Sequence, residues 1–386
     1  IEANAAHGSR RVNFSADVIA HSDERRPRPF ESFTRELARG VYSQLRSNRN
    51  FRGCMVRTSC LPDWTSISHS AEHEHLNPMS LLNRRWKLLM TLVALLFPVG
   101  WPEGVVQAAE ESLFVARPLT AENSFTTGIE GPACDARGNI YAGNFDRQQT
   151  IGRVTPDGKG EVFVELPGNS TGNGIVIGRD GIMYVADYVG HNILRVDPKS
   201  RAVSVLAHDD RMSQPNDLAL APSGDLYASD PNWKENTGQV WRASPTGKLS
   251  LVATNLGTSN GIEVSPDGKT LYVNESVQRN VWAFTIESDG ALTHKRLLKK
   301  FDTHGFDGMR CDVDGNLYIA RHGKGTVVKL SPAGEVLREV DVLGSKPSNL
   351  CFGGPDGRTV YVTEVDHRRL VQFRVDRPGL AFARLR

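Results

Sequence analysis

Asp312-Val-Asp-Gly-Asn-Leu-Tyr318 is a tight turn feeding a strand, and the chain repeats that unit five more times. The copies are Asp135-Ala-Arg-Gly-Asn-Ile-Tyr141, Gly178-Arg-Asp-Gly-Ile-Met-Tyr184, Ala221-Pro-Ser-Gly-Asp-Leu-Tyr227, Ser265-Pro-Asp-Gly-Lys-Thr-Leu-Tyr272 and Gly354-Pro-Asp-Gly-Arg-Thr-Val-Tyr361. The turn glycines are Gly138, Gly181, Gly224, Gly268, Gly315 and Gly357, spaced by 43, 43, 44, 47 and 42 residues. A period of this size, built from strands and turns, is that of a propeller blade. The reading is an all-β chain: a six-bladed β-propeller, with four-stranded blades around a central tunnel.

Eight residues before each turn glycine stands a polar residue: Glu130, Asn173, Asn216, Asn260, Asp307 and Asn349. Apolar residues follow, as in Gly174-Ile-Val-Ile177 and Asp217-Leu-Ala-Leu220. Each polar residue therefore opens the innermost strand of its blade, and the pseudo-symmetry aims all six at the axis from one level. Six oxygen-bearing side chains at one level invite a hard cation, since Ca²⁺ takes six to eight oxygens from carboxylates, amide carbonyls and water. Glu130 and Asp307 would balance a divalent charge. Turn contacts at strand starts explain Asn and Asp as well as a metal does, but they do not explain Glu130. One divalent cation is expected, with Ca²⁺ first and Zn²⁺, Mg²⁺ or Mn²⁺ as alternatives.

Outward from the repeats, each unit continues with alternating segments such as Asn192-Ile-Leu-Arg-Val196 and Ala202-Val-Ser-Val-Leu206. Period-2 alternation with β-branched and aromatic residues is strand chemistry. No capped amphipathic helix is expected in the propeller. Arg369-Leu-Val-Gln-Phe-Arg-Val375 supplies a third strand to the last blade. The fourth comes either from Leu113-Phe-Val-Ala116, which would clasp the ring shut, or from Leu380-Ala-Phe-Ala-Arg384.

The 386 residues are not one piece. Residues 1–78 show no sustained apolar period and read as a non-native upstream or disordered extension. Met79 is followed by Arg84, Arg85 and Lys87, the apolar run Leu88 to Val99, and Val106-Gln-Ala108. That order of charge, apolar run and small residues is a signal peptide over 79–108, which implies an exported, periplasmic or secreted protein. The run is short of the roughly 20 residues that cross a bilayer. Residues 109–386 form the propeller and carry 32 Lys and Arg against 34 Asp and Glu. That balance points to no nucleic acid and no membrane partner; a monomer or weak oligomer is expected. Cys134, Cys311 and Cys351 replace small hydrophobes on inner strands. A Cys134–Cys351 bridge across the seam of the ring is left open by the sequence.

Two motifs are set aside. Gly257-Thr-Ser-Asn-Gly261 matches the pattern of a nucleophile elbow, but Ile262-Glu-Val264 continues it as a strand, and an elbow must lead into a helix. Asp312-Val-Asp-Gly315 begins like a calcium loop but lacks the closing Glu. His304, three residues before Asp307, is the histidine nearest the tunnel mouth. Asp230-Pro-Asn-Trp233 and the residues to Gly238 read as the longest aromatic-bearing loop, placed to line a pocket over the tunnel.

Four stretches carry a resemblance: Asn216-Asp-Leu, Ser259-Asn-Gly-Ile, Asp307-Gly-Met-Arg-Cys-Asp with Gly315-Asn-Leu-Tyr318, and Phe352-Gly-Gly-Pro-Asp-Gly-Arg-Thr-Val-Tyr-Val-Thr363. Over roughly 122–380 the chain resembles the gluconolactonase/senescence-marker-protein (regucalcin) family. The resemblance implies a six-bladed propeller with one divalent cation at the tunnel. Its Glu, Asn and Asp ligands fall on Glu130, Asn260 and Asp307, and a further Asn that approaches metal or substrate falls on Asn216. Animal members carry an Arg two residues before that Asn; here Gln214 stands there, so their grip on a sugar is not carried over. A similar arrangement occurs in diisopropyl fluorophosphatase.

The function expected from these residues is a metal-dependent hydrolase of carboxylic esters, a lactonase acting on a small-molecule lactone of sugar type or related. The metal would polarise the carbonyl, Asp307 would be general base, and Asn216 would orient substrate or stabilise the oxyanion. Candidate substrate-binding residues are Asn173, Gln214, Asn216, Trp233 and His304. The alternatives are a non-enzymatic ligand- or peptide-binding propeller and a phosphotriesterase-type hydrolase on the same metal site.

Overall fold

A computed structural model describes residues 113–385. The expected extension at 1–78 and signal peptide at 79–108 lie outside the described residues. Six four-stranded antiparallel sheets make up the propeller. Blade 1 runs Phe125–Cys134, Ile140–Phe145, Thr150–Val154 and Gly160–Glu165. Blade 2 is Gly172–Ile177, Met183–Asp187, Asn192–Val196 and Val203–His208. Blade 3 is Leu218–Leu220, Leu226–Asn232, Thr237–Ala243 and Leu249–Leu256. Blade 4 is Ser259–Val264, Thr270–Glu275, Asn280–Ile286 and Leu292–Lys300. Blade 5 is Met309–Cys311, Leu317–Arg321, Thr326–Leu330 and Val336–Asp341.

Blade 6 has Pro347–Gly353, Thr359–Glu364 and Arg369–Arg374 in chain order, and its outer strand is Arg117–Pro118 from the other end of the chain. Arg117 pairs with Gln372 and Pro118 with Val371. Leu113 adds a bridge to Arg374, whose carbonyl accepts from Phe114 N–H at 2.8 Å. The N-terminal segment therefore closes the ring, a few residues later than expected, and leaves no unpaired edge on the third strand. The rival segment does something else. Leu380–Arg384 is a short α-helix without a side-chain cap, with Leu380 and Phe382 buried, and not the alternative fourth strand.

The core lies between blades rather than within one. Tyr141, Phe163, Ile175 and Val185 join blades 1 and 2. Tyr318, Val327, Leu350 and Phe373 join blades 5 and 6. Ile129, Ile140, Tyr361 and Leu370 close the seam between the last blade and the first. Cys134 and Cys351 lie at that seam as free, buried thiols, so no bridge joins them. Burial pushes Cys134 up to about 12.

Buried acids at the ends of second strands hold the upper loops. Asp230, fully buried, accepts from Ser213 N–H, Gln214 N–H, Gln239 Nε2 and Trp241 Nε1 at 2.6–3.0 Å. Asp187 does the same for Ser170, Thr171, Gly190 and Asn192. A charged acceptor facing several donors is among the stronger polar contacts available. These acids fix the loops from which the site is built.

Candidate functional site

The ring residues do not simply open strands. In blades 1, 2, 4 and 6 the inner ladder is irregular where they sit: between Glu130 and Ala133, Gly172 and Ile175, Ser259 and Ile262, and Pro347 and Leu350. In blades 3 and 5 the regular strand starts later, at Leu218 and Met309, so Asn216 and Asp307 precede it. Such irregularities release a side chain from the ladder and re-aim it. The glycine after a ring residue makes room for the next blade. A Cβ on Gly131 would sit 1.8 Å from the Asn173 carbonyl oxygen, and one on Gly308 would sit 2.0 Å from the Asn349 Cγ.

The two carboxyls face a common buried space. Burial drives Glu130 up to about 8, with the Asp217 charge adding to the rise; Gly131 N–H, the Arg310 guanidinium and the Asn349 amide oppose it. Gly131 N–H donates to Glu130 Oε2 at 3.1 Å. Burial raises Asp307 well above the carboxylate range, and the Glu130 charge pushes the same way, against the nearby Asn260 and Gly308 amides. Two like charges in a dry space disfavour ionisation of both.

The amides around them are short of partners. Asn173 Oδ1, Asn260 Oδ1 and Asn349 Nδ2 are buried with no hydrogen-bond partner among the described residues. Asn260 is oriented by its Nδ2, which donates to Ser276 Oγ at 3.1 Å; that hydroxyl donates on to the Phe306 carbonyl at 2.7 Å. Asn274 Nδ2 donates to the Asp307 carbonyl at 2.6 Å. Asp307 is thus held by the end of the neighbouring blade's second strand. Asn349 Oδ1 accepts from Leu350 N–H at 2.8 Å. Orphaned amide oxygens and two carboxyls resisting ionisation are what a hard divalent cation would satisfy together. Among the described residues no group of three or more His, Cys, Asp or Glu side chains is arranged for a metal, so the donor set here is two carboxyls plus amide oxygens.

Among the segments of blades 2 and 3 lies an open pocket of about 370 Å³ lined by Tyr188, Val189, His191, Ser213, Gln214 and Asn232. Gln214 is fixed there by its own N–H on Asp230, 2.6 Å, and its Oε1 accepts from Trp233 N–H at 3.5 Å. The expected long loop is mostly strand: only 233–236 separates Leu226–Asn232 from Thr237–Ala243. Trp233 follows directly on the first of these strands, its side chain near the Tyr188 phenol. His304 is exposed, with φ 56°, beside Gly323 and away from this pocket. Ser259 Oγ donates to the Gln239 carbonyl at 3.2 Å from within a strand. Asp312 Oδ1 accepts from Asp314 and Asn316 N–H in its blade turn.

Three residues of the site escaped the sequence reading. Tyr188 follows a second strand with no motif to mark it; burial raises its phenol, and the charges of Glu130 and Asp307 add to that. Asp217 and Arg310 form a buried bidentate ion pair across the tunnel, at 2.7 and 2.9 Å. Both lie inside quoted motifs, directly after Asn216 and three residues after Asp307. An Asp where other blades carry Gly was the available signal.

The sequence profile of the SMP-30/gluconolactonase/LRE-like region matches residues 130–366. A gluconolactonase from Zymomonas mobilis is 31% identical over 287 residues, covering 65% of this chain and 80% of that protein. A 6-deoxy-6-sulfogluconolactonase from Pseudomonas putida is 30% identical over 176 residues, covering 44% of this chain and 60% of that protein. A calcium-binding regucalcin from Agrobacterium tumefaciens shares the fold, with TM-score 0.61 at 20% identity over 69% of this chain and 97% of that one. The span of the profile, taken with the Zymomonas relative, gives the family: the chain belongs to the SMP-30/gluconolactonase/LRE-like family.

Proposed function

We propose that this protein is an exported lactonase that opens a sugar-type or related lactone with the help of one divalent cation. The observation that carries the reading is the pairing of Glu130 and Asp307 with the orphaned Asn260 amide oxygen at one end of the tunnel. The named activities of the Zymomonas and Pseudomonas relatives support it. Glu130, Asn260 and Asp307 would hold the cation, with Asn216 beside them and Ca²⁺ as the first candidate. When bound, a divalent cation supplies Lewis-acid polarisation of an ester carbonyl.

The chain's own residues supply the rest. Asp307 is the base: its carboxyl accepts a proton from the attacking water. The proton returns to the ring oxygen as the C–O bond breaks, leaving a hydroxy acid. Asn216, 4% exposed, has its backbone fixed by Ser229 and Gly174 at 2.8 and 2.7 Å. Its amide donates to the developing oxyanion. Gln214, Tyr188 and Trp233 grip the substrate ring from the mouth. The test is a lactone panel assayed on purified protein before and after chelation, with Ca²⁺, Zn²⁺, Mg²⁺ and Mn²⁺ added back. Chelation should abolish hydrolysis, and one of these ions should restore it. Full activity in the chelated protein, or no lactone opened with any ion, would overturn the reading.

A further inference from the structure

The same repeat that builds the upper ring builds a second one. Five residues before each turn glycine stand Ala133, Val176, Ala219, Glu263, Arg310 and Phe352. Three residues along a regular strand span about 10 Å; the irregular ladder shortens that, and this ring lies below Glu130 and Asp307. All six residues line a second cavity of about 610 Å³. That size falls within the usual range for small-molecule sites, which are mostly apolar with a few placed polar groups.

The cavity is separate from the upper site. The Arg310–Asp217 pair crosses the tunnel between the two levels, with side-chain exposures of 7% and 0%. It stands as a partition whose charges already satisfy each other. Below, the helix Leu380–Arg384 crosses the lower mouth. Gly379 N–H donates to the Gly357 carbonyl at 3.0 Å on one side. On the other, Arg384 donates to the carbonyls of Leu220 and Ser265 at 2.9 and 3.1 Å. Arg179 Nε reaches the Arg384 carbonyl at 3.1 Å.

Within the chamber, Glu263 offers the polar handle. It is 7% exposed; Oε1 accepts from Val264 N–H at 2.8 Å, and Oε2 makes no hydrogen bond among the described residues. Burial raises its carboxyl toward the neutral, donating form, against the pull of the Arg310 and Arg384 guanidiniums. Ala133, Val176, Ala219 and Phe352 complete the ring with apolar surface.

We propose that this lower chamber, walled by the second ring and floored by the C-terminal helix, is a binding site for a compact, neutral, largely apolar molecule whose single acceptor oxygen meets Glu263. Within the ring itself the one cation, Arg310, is already met by Asp217, so that level offers an anion no free charge. A polyol would leave its hydroxyls facing apolar walls, at a cost.

The probe is 6-propionyl-2-(dimethylamino)naphthalene, a neutral bicycle with one ketone and an emission that shifts to the blue in apolar surroundings. Titrated into the full chain, it should saturate at one site, unaffected by Ca²⁺ or a sugar lactone. Val176→Trp, which fills the chamber from a half-buried position, should weaken binding at least tenfold. Glu263→Leu keeps the volume and removes the donor. It should weaken the ketone probe roughly three- to tenfold, the worth of one hydrogen bond, and leave 2-(dimethylamino)naphthalene, which lacks the ketone, unchanged. Failure to saturate, competition by the lactone, or indifference to Glu263→Leu in a folded protein would each overturn the assignment.

Discussion

Glu130→Gln separates the function of the carboxyl from its cost. With Glu130 lifted from 4.5 to about 8, the folded chelated protein holds a proton that the unfolded chain has released throughout that interval. Stability changes with pH in proportion to protons bound unfolded minus protons bound folded. That difference is negative here, so the chelated wild type loses stability as pH rises from 4.5 towards 8. Below 4.5 both states are protonated and the penalty vanishes. Integrated between pH 5 and pH 8, the penalty is on the order of 3 kcal/mol, at 1.36 kcal/mol per pK unit. Glutamine keeps the shape and cannot ionise. In urea titrations with chelator present, Glu130→Gln should therefore match the wild type most closely at pH 5 and gain on it at pH 8; Asp307, relieved of the Glu130 charge in the variant, shifts in the same direction and adds to that gain. Adding Ca²⁺ at pH 8 should reverse the order, because a ligand that binds only the folded state stabilises by RT ln(1 + [L]/Kd), and the variant has lost one of two charges that hold it. A stability difference independent of pH, or equal Ca²⁺ stabilisation of both proteins, would refute the argument that Glu130 is a buried carboxyl kept for a cation.

Three further outcomes follow from named contacts. Asp307→Asn keeps an oxygen but cannot accept a proton; lactone hydrolysis should fall roughly 10²–10⁴-fold while calorimetry still detects bound metal, and near-wild-type turnover would remove Asp307 as base. Gly308→Ala drives a methyl to within 2.0 Å of Asn349 Cγ, and the Leu350 N–H bond at 2.8 Å resists its retreat. Overpacking of this kind costs about 1–3 kcal/mol, read as a lower melting temperature together with weaker metal binding. Asp230→Ala strands four donors. Bonds to a charged acceptor are worth about 1.5–3 kcal/mol each, so stability should drop by at least about 3 kcal/mol and KM should rise as Gln214 comes loose.

The blades were legible because their signal is local and repeated. A turn glycine with φ between 72° and 88° recurs at all six positions, and the Tyr strand after it is an alternating strand in every copy. The ring residues were legible for the same reason: a constant offset from a visible landmark. What the sequence hid was whatever breaks the repeat. The clasp was legible only as one of two alternatives and a few residues early, because its strand is two residues, Arg117 and Pro118, too few to show a period. The helix Leu380–Arg384 is five residues long with no side-chain cap at Gly379, so it lacks both the length and the boundary signal by which helices are read. Trp233 was expected on a long loop, because Pro231 and Asn232 look like turn residues; both pair across to Gly238 and Thr237, held by the buried Asp230 that precedes them.

Those breaks are also where the proposed chemistry would sit. An exact sixfold ring of Asn would offer neutral oxygens and no charge to hold a cation. Replacing two of the six by Glu130 and Asp307, in blades 1 and 5, puts two carboxyls where the proposed cation would balance them. The neighbouring levels are broken in register with it: Asp217 stands where four other blades carry Gly131, Gly174, Gly261 and Gly308, and Arg310 stands where others carry Ala133, Val176 and Ala219. Their ion pair bears on the carboxyls above: Asp217 raises Glu130 while Arg310 lowers it, and Asp217 raises Asp307 as well. It also closes the tunnel between a polar chamber and an apolar one. Breaking the pair from one side leaves a buried charge alone and is the more damaging change. Asp217→Asn should therefore cost more stability than the double change Asp217→Asn with Arg310→Met. If the two proteins unfold at the same midpoint, the pair is not the partition that the geometry describes.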